Sequence, residues 1–160
     1  MALGVNGALA QASPPTPGAI TAVQPCPEPR QVRAPDLYGQ WQVSFSKPPR
    51  GLPAQATLQL ERHAEFSESL AGQVKRDLSA APGGQVAGHS PRAQLAGDIE
   101  AGQLMLDESS NGINLTASWD GQIVPGSCGK RIEGLWKDLS SAAPPDSPDV
   151  PFTLTRITGW

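Results

Sequence analysis

From residue 36 onward the chain alternates large apolar and polar side chains with a period of two. In "DLYGQWQVSF", Trp41, Val43 and Phe45 share one face, while Gln40, Gln42 and Ser44 share the other. This is the pattern of a half-buried strand. It recurs in "ATLQLER" (Leu58, Leu60) and in "FSESLAGQVKR" (Phe66, Leu70, Val74, with Glu68 and Gly72 in the same phase). It continues in "AQLAGDIE" (Leu95, Gly97, Ile99) and "GQLMLDES" (Leu104, Leu106). "INLTASW" offers Ile113, Leu115, Ala117 and Trp119; "KRIEGLWKD" offers Ile132, Gly134 and Trp136; "FTLTRI" offers Phe152, Leu154 and, in phase, Arg156. No stretch sustains a helical period. The spacing predicts eight strands in sequence, joined by mostly short links.

Strands with one apolar face each can bury those faces by curling into a closed sheet, which also removes exposed edges. The expected fold is therefore all-β, an eight-stranded antiparallel up-and-down barrel over residues 36–160. A two-sheet sandwich is the alternative that the same alternation satisfies. Inward glycines at 39, 72, 97 and 134 suit tight curvature or close backbone approach. Asn111-Gly112 reads as a hairpin tip, Asp120-Gly121 as a second turn or a bulge, and "SAAPGGQVAGHSP" as a long loop.

The N-terminal part has a different texture. Residues 13–35 hold seven prolines and no hydrophobic period, so an extended, polyproline-like leader is expected. Ahead of it, Ala8-Leu9-Ala10 and Ala10-Gln11-Ala12 are small-x-small sites after a short apolar stretch. Residues 1–12 read as a signal-peptide remnant. Cys26 and Cys128 are the only cysteines and both sit among turn formers. A disulfide between them is the simplest account, two free thiols the alternative, and a bond would fit a periplasmic or secreted protein.

Composition narrows the function classes. Charged residues are 17% of the chain and the net charge is −3, so there is no basic patch for nucleic acid. No segment is long enough to span a bilayer. There is no Gly-x-Ser-x-Gly elbow and no phosphate loop. His63 and Glu65 share a face but lack further partners for a metal or a nucleophile, and His89, in a Gly/Pro loop, reads as solvated. Oxygen ligands cluster in "LDESSNG" without calcium-loop spacing, so a polar hairpin tip is the plain reading. No enzyme, cofactor or metal is expected.

Four ionisable groups fall in inward phase: Glu68, Glu108, Asp138 and Arg156. A lone buried charge is costly, so most should lie at strand ends or pair. Glu68, near the middle of its expected strand, is the candidate polar group inside the lumen. With Trp119 and Trp136 it forms the candidate ligand-binding set. The partner would be a small, partly apolar molecule, or alternatively a protein. The number of inward side chains leaves open whether the lumen is filled or hollow.

At Gly39-Gln40-Trp41 the chain resembles the calycin group, comprising lipocalins, fatty-acid-binding proteins and avidins. In that group a Gly-x-Trp opens the first strand and a late Arg or Lys packs over the Trp. The resemblance implies a barrel closed at one end by Gly39, Trp41 and Arg156, with a binding role. "LYGQWQVS" is also similar to the opening strand of small bacterial metalloprotease inhibitors, again eight-stranded barrels. That resemblance implies an inhibitor acting through its N-terminal tail; an interaction protein could alternatively work through the long loops around 79–92 and 140–150.

Overall fold

The computed structural model describes residues 10–13 and 25–158. Most of the expected signal remnant, the leader from 14 to 24 and Trp160 lie outside the described residues. Eight strands follow one another: β1 (Gly39–Phe45), β2 (Gln55–Arg62), β3 (Leu70–Lys75), β4 (Arg92–Glu100), β5 (Gln103–Ser109), β6 (Ala117–Ile123), β7 (Arg131–Asp138) and β8 (Val150–Arg156). Each pairs antiparallel with the next, and β8 returns to pair with β1, with Trp41 opposite Arg156 and Phe45 opposite Phe152. The sheet is a closed barrel in sequence order. The sandwich is excluded because no strand is left with a free edge.

Alternation places Trp41, Val43 and Phe45 inward, and they meet Leu58, Leu60, Leu70, Val74, Leu95, Leu104, Leu106, Ile132 and Leu154, all buried. Phe45, Trp119, Trp136 and Phe152 form an aromatic cluster at one level, with ring centroids 5.1 to 6.5 Å apart in tilted and edge-to-face pairs. The interior is thus packed with the chain's own side chains, as eight-stranded barrels allow.

At three inward glycines side chains are excluded by the neighbouring backbone. An added Cβ at Gly97 would lie 1.9 Å from the Met105 carbonyl oxygen, and Gly72 and Gly134 stand equally close to neighbouring backbone. Gly97→Ala is expected to destabilise the barrel by about 1–3 kcal/mol through forced strand separation; urea denaturation of the variant measures it. An Ala at 97 tolerated without loss would show that the strands have room to part.

The two ends differ. One end is closed by chain that precedes β1. Short 3-10 turns at Pro29–Gln31 and Ala34–Leu37 are fastened by side chains of their own: Glu28 N–H donates to Gln31 Oε1 at 2.8 Å, and Arg33 N–H to Asp36 Oδ2 at 2.8 Å. Val32, Ala34 and Leu37 are buried in the barrel's core. Part of the proline-rich leader is therefore a plug with defined turns, in place of the extended segment expected. Cys26 is bonded to Cys128 in the β6–β7 turn at the same end.

Trp41 Nε1–H donates to the Leu37 carbonyl at 2.9 Å. The Arg156 guanidinium lies over the Trp41 ring, 5.4 Å from its centroid, and donates to the carbonyls of Asp36, at 2.9 Å, and Tyr38. Gly39 adopts a φ of 128°, and a Cβ there would meet the same guanidinium at 3.0 Å. Gly39, Trp41 and Arg156 thus meet at the plugged end, where cation–π contact and hydrogen bonds hold the plug against the first strand.

Three local expectations are corrected. The stretch before β3 is a turn: Phe66 is 61% exposed and strand pairing starts only at Leu70. The β5–β6 connection is a loop over 110–116, leaving Ile113 and Leu115 exposed. In it Asn111 Oδ1 accepts from the N–H groups of Ile113 and Asn114, at 2.9 and 2.8 Å. An asparagine that satisfies two following N–H groups stabilises a wider loop than a two-residue hairpin. Asp120-Gly121 lies inside β6, where Gly121 faces Leu104 and Gly134, so it is neither turn nor bulge.

Candidate functional site

The end opposite the plug is ringed by four connections: 46–54, 76–91, 110–116 and 139–149. Just inside it, Arg76 and Glu108 form a buried ion pair. Arg76 Nη1 lies 2.6 Å from Glu108 Oε1 and Nη2 lies 3.1 Å from Oε2, with both side chains at most 1% exposed. Glu108 Oε2 also accepts from Trp119 Nε1 at 2.9 Å and, at 3.4 Å, from Trp136 Nε1. One carboxylate thus takes four N–H groups from β3's end, β6 and β7. A charge at this depth is tolerable only when so fully paired, and the network fixes both indoles in orientation.

Above this network the β1–β2, β3–β4 and β7–β8 connections enclose a cleft of about 690 Å³. Trp136 and Asp138, successive inward positions of β7, line it, together with Val86, Ala87, Val150 and a set of prolines at 48, 49, 144, 148 and 151. Proline walls are stiff because φ is fixed. Lys47 and Arg50 border the cleft from one loop, Asp146 and Asp149 from another. An apolar cleft with a few convergent polar groups is the usual make-up of a small-molecule site.

His89 enters from the β3–β4 connection. Its side chain is only 2% exposed, its ring centroid is 5.4 Å from that of Trp136, and Nε2 is 3.0 Å from Asp138 Oδ1. Among the described residues neither imidazole nitrogen has a hydrogen-bond partner, and the Asp138 contact is an ion pair only when the ring is protonated. Ser140 Oγ is likewise buried without a partner, while Ser140 N–H donates to Asp138 Oδ1 at 2.9 Å. Leaving a buried polar group unpaired costs about 1–3 kcal/mol. Serine, histidine and aspartate are the residue types of a nucleophilic triad, but Ser140 Oγ bonds to neither ring nitrogen, so no proton relay is assembled. Among the described residues no group of three or more His, Cys, Asp or Glu side chains could hold a metal ion.

The residues expected at the site divide. Trp119 and Trp136 are brought together at the mouth, Trp119 as buried core and Trp136 as the cleft's floor. Glu68 does not join them. It is exposed in the β2–β3 turn, at the plugged end, because pairing begins two residues later and the alternation before it has no partner strand. His63 is a local fastening there, Nδ1 accepting from the N–H groups of Glu65 and Phe66 at 3.1 and 3.2 Å.

Two residues of the site were missed. Arg76 continues the inward phase of Leu70, Gly72 and Val74 and could have been found by extending the alternation by one step. His89, expected to be solvated, is buried; nothing in its Gly/Pro context signals that. Among the described residues no helix is long and apolar enough to cross a membrane. No protein-family model matches the chain, and no curated protein matches it.

Proposed function

We propose that the chain is an exported, non-enzymatic barrel that binds a small, partly apolar molecule in the cleft at its mouth, as calycin-type binding barrels do. The observation that carries this reading is the cleft itself: stiff proline walls over an indole floor whose orientation is locked by Glu108. Because the interior is packed, the ligand belongs between the loops at the mouth rather than deep in the lumen. The disulfide supports an oxidising compartment, periplasmic or extracellular.

The test is a titration with anilinonaphthalene sulfonate, followed by dye emission and by tryptophan quenching. Saturable binding is expected, weakened when Val86→Asp places a charge in the apolar wall. No saturable signal from folded protein rejects the reading, and turnover of p-nitrophenyl acetate that is lost in Ser140→Ala would replace it with a hydrolase.

A second reading draws on the plug. The leader is fastened by Cys26–Cys128 and by Val32 and Leu37 at the end opposite the cleft, and pinning reduces the entropy that a docking segment must lose. An interaction module, such as a protease inhibitor working through its N-terminal residues, would use that end. Removing residues 1–24 separates the two: dye binding is expected to survive, and loss of metalloprotease inhibition, if the full chain inhibits, would establish the second activity.

A further inference from the structure

We propose that the mouth cleft recognises an organic cation joined to a flat apolar body, an arylalkylamine in chemical class, and that the His89 imidazole holds the cation's place in the free protein. This rests on the mouth being the binding site and adds the ligand's charge and shape.

The argument starts from what surrounds the imidazole. A flat nitrogen heterocycle of the chain's own packs against Trp136, tilted by 52° with 5.4 Å between centroids, and has a nitrogen 3.0 Å from the Asp138 carboxylate. Indole plus carboxylate is the pairing that attracts a cationic nitrogen. Asp138 and Trp136 both line the cleft, and Asp146 and Asp149 add negative charge to its lining.

His89 fills this place poorly. Both of its nitrogens lack hydrogen bonds, and so does the nearby Ser140 hydroxyl. The segment that carries it packs closely at two glycines: Val86 rests on Gly51, and Gly88 fits beneath Ser140 and Ala142. A primary ammonium has three donors. In place of the ring it would donate to Asp138 and to the Ser140 oxygen, satisfying what the imidazole leaves unpaired, while its aryl group takes the apolar wall of Val86, Val150 and the prolines. Lys47 and Arg50, on the β1–β2 connection across the cleft, disfavour a cation that enters from their side. The carboxylate side, next to the indole, is therefore where the ammonium goes.

Phenethylamine, phenethyl alcohol and phenylpropionate are the probes, titrated against the intact disulfide-bonded protein by calorimetry and tryptophan emission. The amine is expected to bind about tenfold or more tighter than the alcohol, with the acid weakest. Asp138→Asn should remove that preference, bringing amine affinity down to that of the alcohol. His89→Ala should tighten amine binding, because the internal competitor is gone; His89→Gln, which keeps a polar side chain for folding, should act in the same direction. Equal affinity for amine and alcohol, or weaker amine binding in both folded His89 variants, overturns the proposal. If dye still binds while the amine has no advantage, only the cation inference fails; if dye and amine both fail to bind, the mouth reading fails with it.

Discussion

Replacing Arg76 by methionine is expected to destabilise the protein by about 3–5 kcal/mol, a loss out of proportion to one side chain. The ion pair is at most 1% exposed on either side. Removing the guanidinium leaves the Glu108 carboxylate buried with only two indole N–H groups, of which Trp136's is long at 3.4 Å. Glu108→Gln alone is expected to cost a comparable amount, because it strands a buried guanidinium. The double variant Arg76→Met, Glu108→Gln should recover most of the loss, since no net charge remains and the amide oxygen still accepts from Trp119. Buried ion pairs often contribute little beyond a neutral replacement, whereas half of one is costly. Urea denaturation of the three variants forms the cycle. Two additive single losses, with no recovery in the double variant, would show that the two groups act independently. The same variants read on function: Trp119 and Trp136 donate to the same Glu108 oxygen, so the neutral pair, which keeps an acceptor there, should regain dye affinity together with stability.

The barrel was legible because burial imposes a period of two wherever a strand has partners on both sides. Trp41 and Arg156 could be paired from sequence since closure brings the first and last strands together, and the register Trp41↔Arg156 realises this. The same rule misled where strands stop. Phe66 and Glu68 continue the phase of β3, and Ile113 and Leu115 that of β6, yet each pair lies in a connection with no neighbouring strand to hold it. Alternation reports which face a residue would occupy, not whether a ladder exists there. Charge was under-read for the opposite reason. Arg76 lies just past the last apolar residue of β3, in phase with it, and its acceptor is 32 residues away on β5. The cleft was the least legible part. Its walls are loops, and contacts such as His89 on Trp136 join positions that no periodicity relates.

Opening the Cys26–Cys128 bond is expected to lower stability by about 2–5 kcal/mol while leaving binding at the mouth intact. The two cysteines are 102 residues apart, so the bond restrains the chain from the plug through β6 in the unfolded state. For a loop of this length the chain-entropy treatment assigns about 4.7 kcal/mol. In the folded protein much of the same closure is already made by the β1–β8 ladder and by Arg156 over Trp41. The native barrel therefore has no need of the bond for its shape, and the effect falls mainly on the unfolded ensemble. Cys26→Ser with Cys128→Ser should fold to a barrel with unchanged tryptophan emission and an earlier denaturation midpoint. Position matters as much as magnitude. The bond fastens the plug at one end, whereas Trp136, Asp138 and the proline walls stand at the other, so dye affinity in the folded double variant should stay within about twofold of the parent. A loss below about 1 kcal/mol would mean that the unfolded chain is already compact around the leader. Abolished binding in a folded variant would mean that the plugged end and the mouth are coupled through the packed aromatic cluster between them, and the cleft could no longer be treated as a site that the loops build on their own.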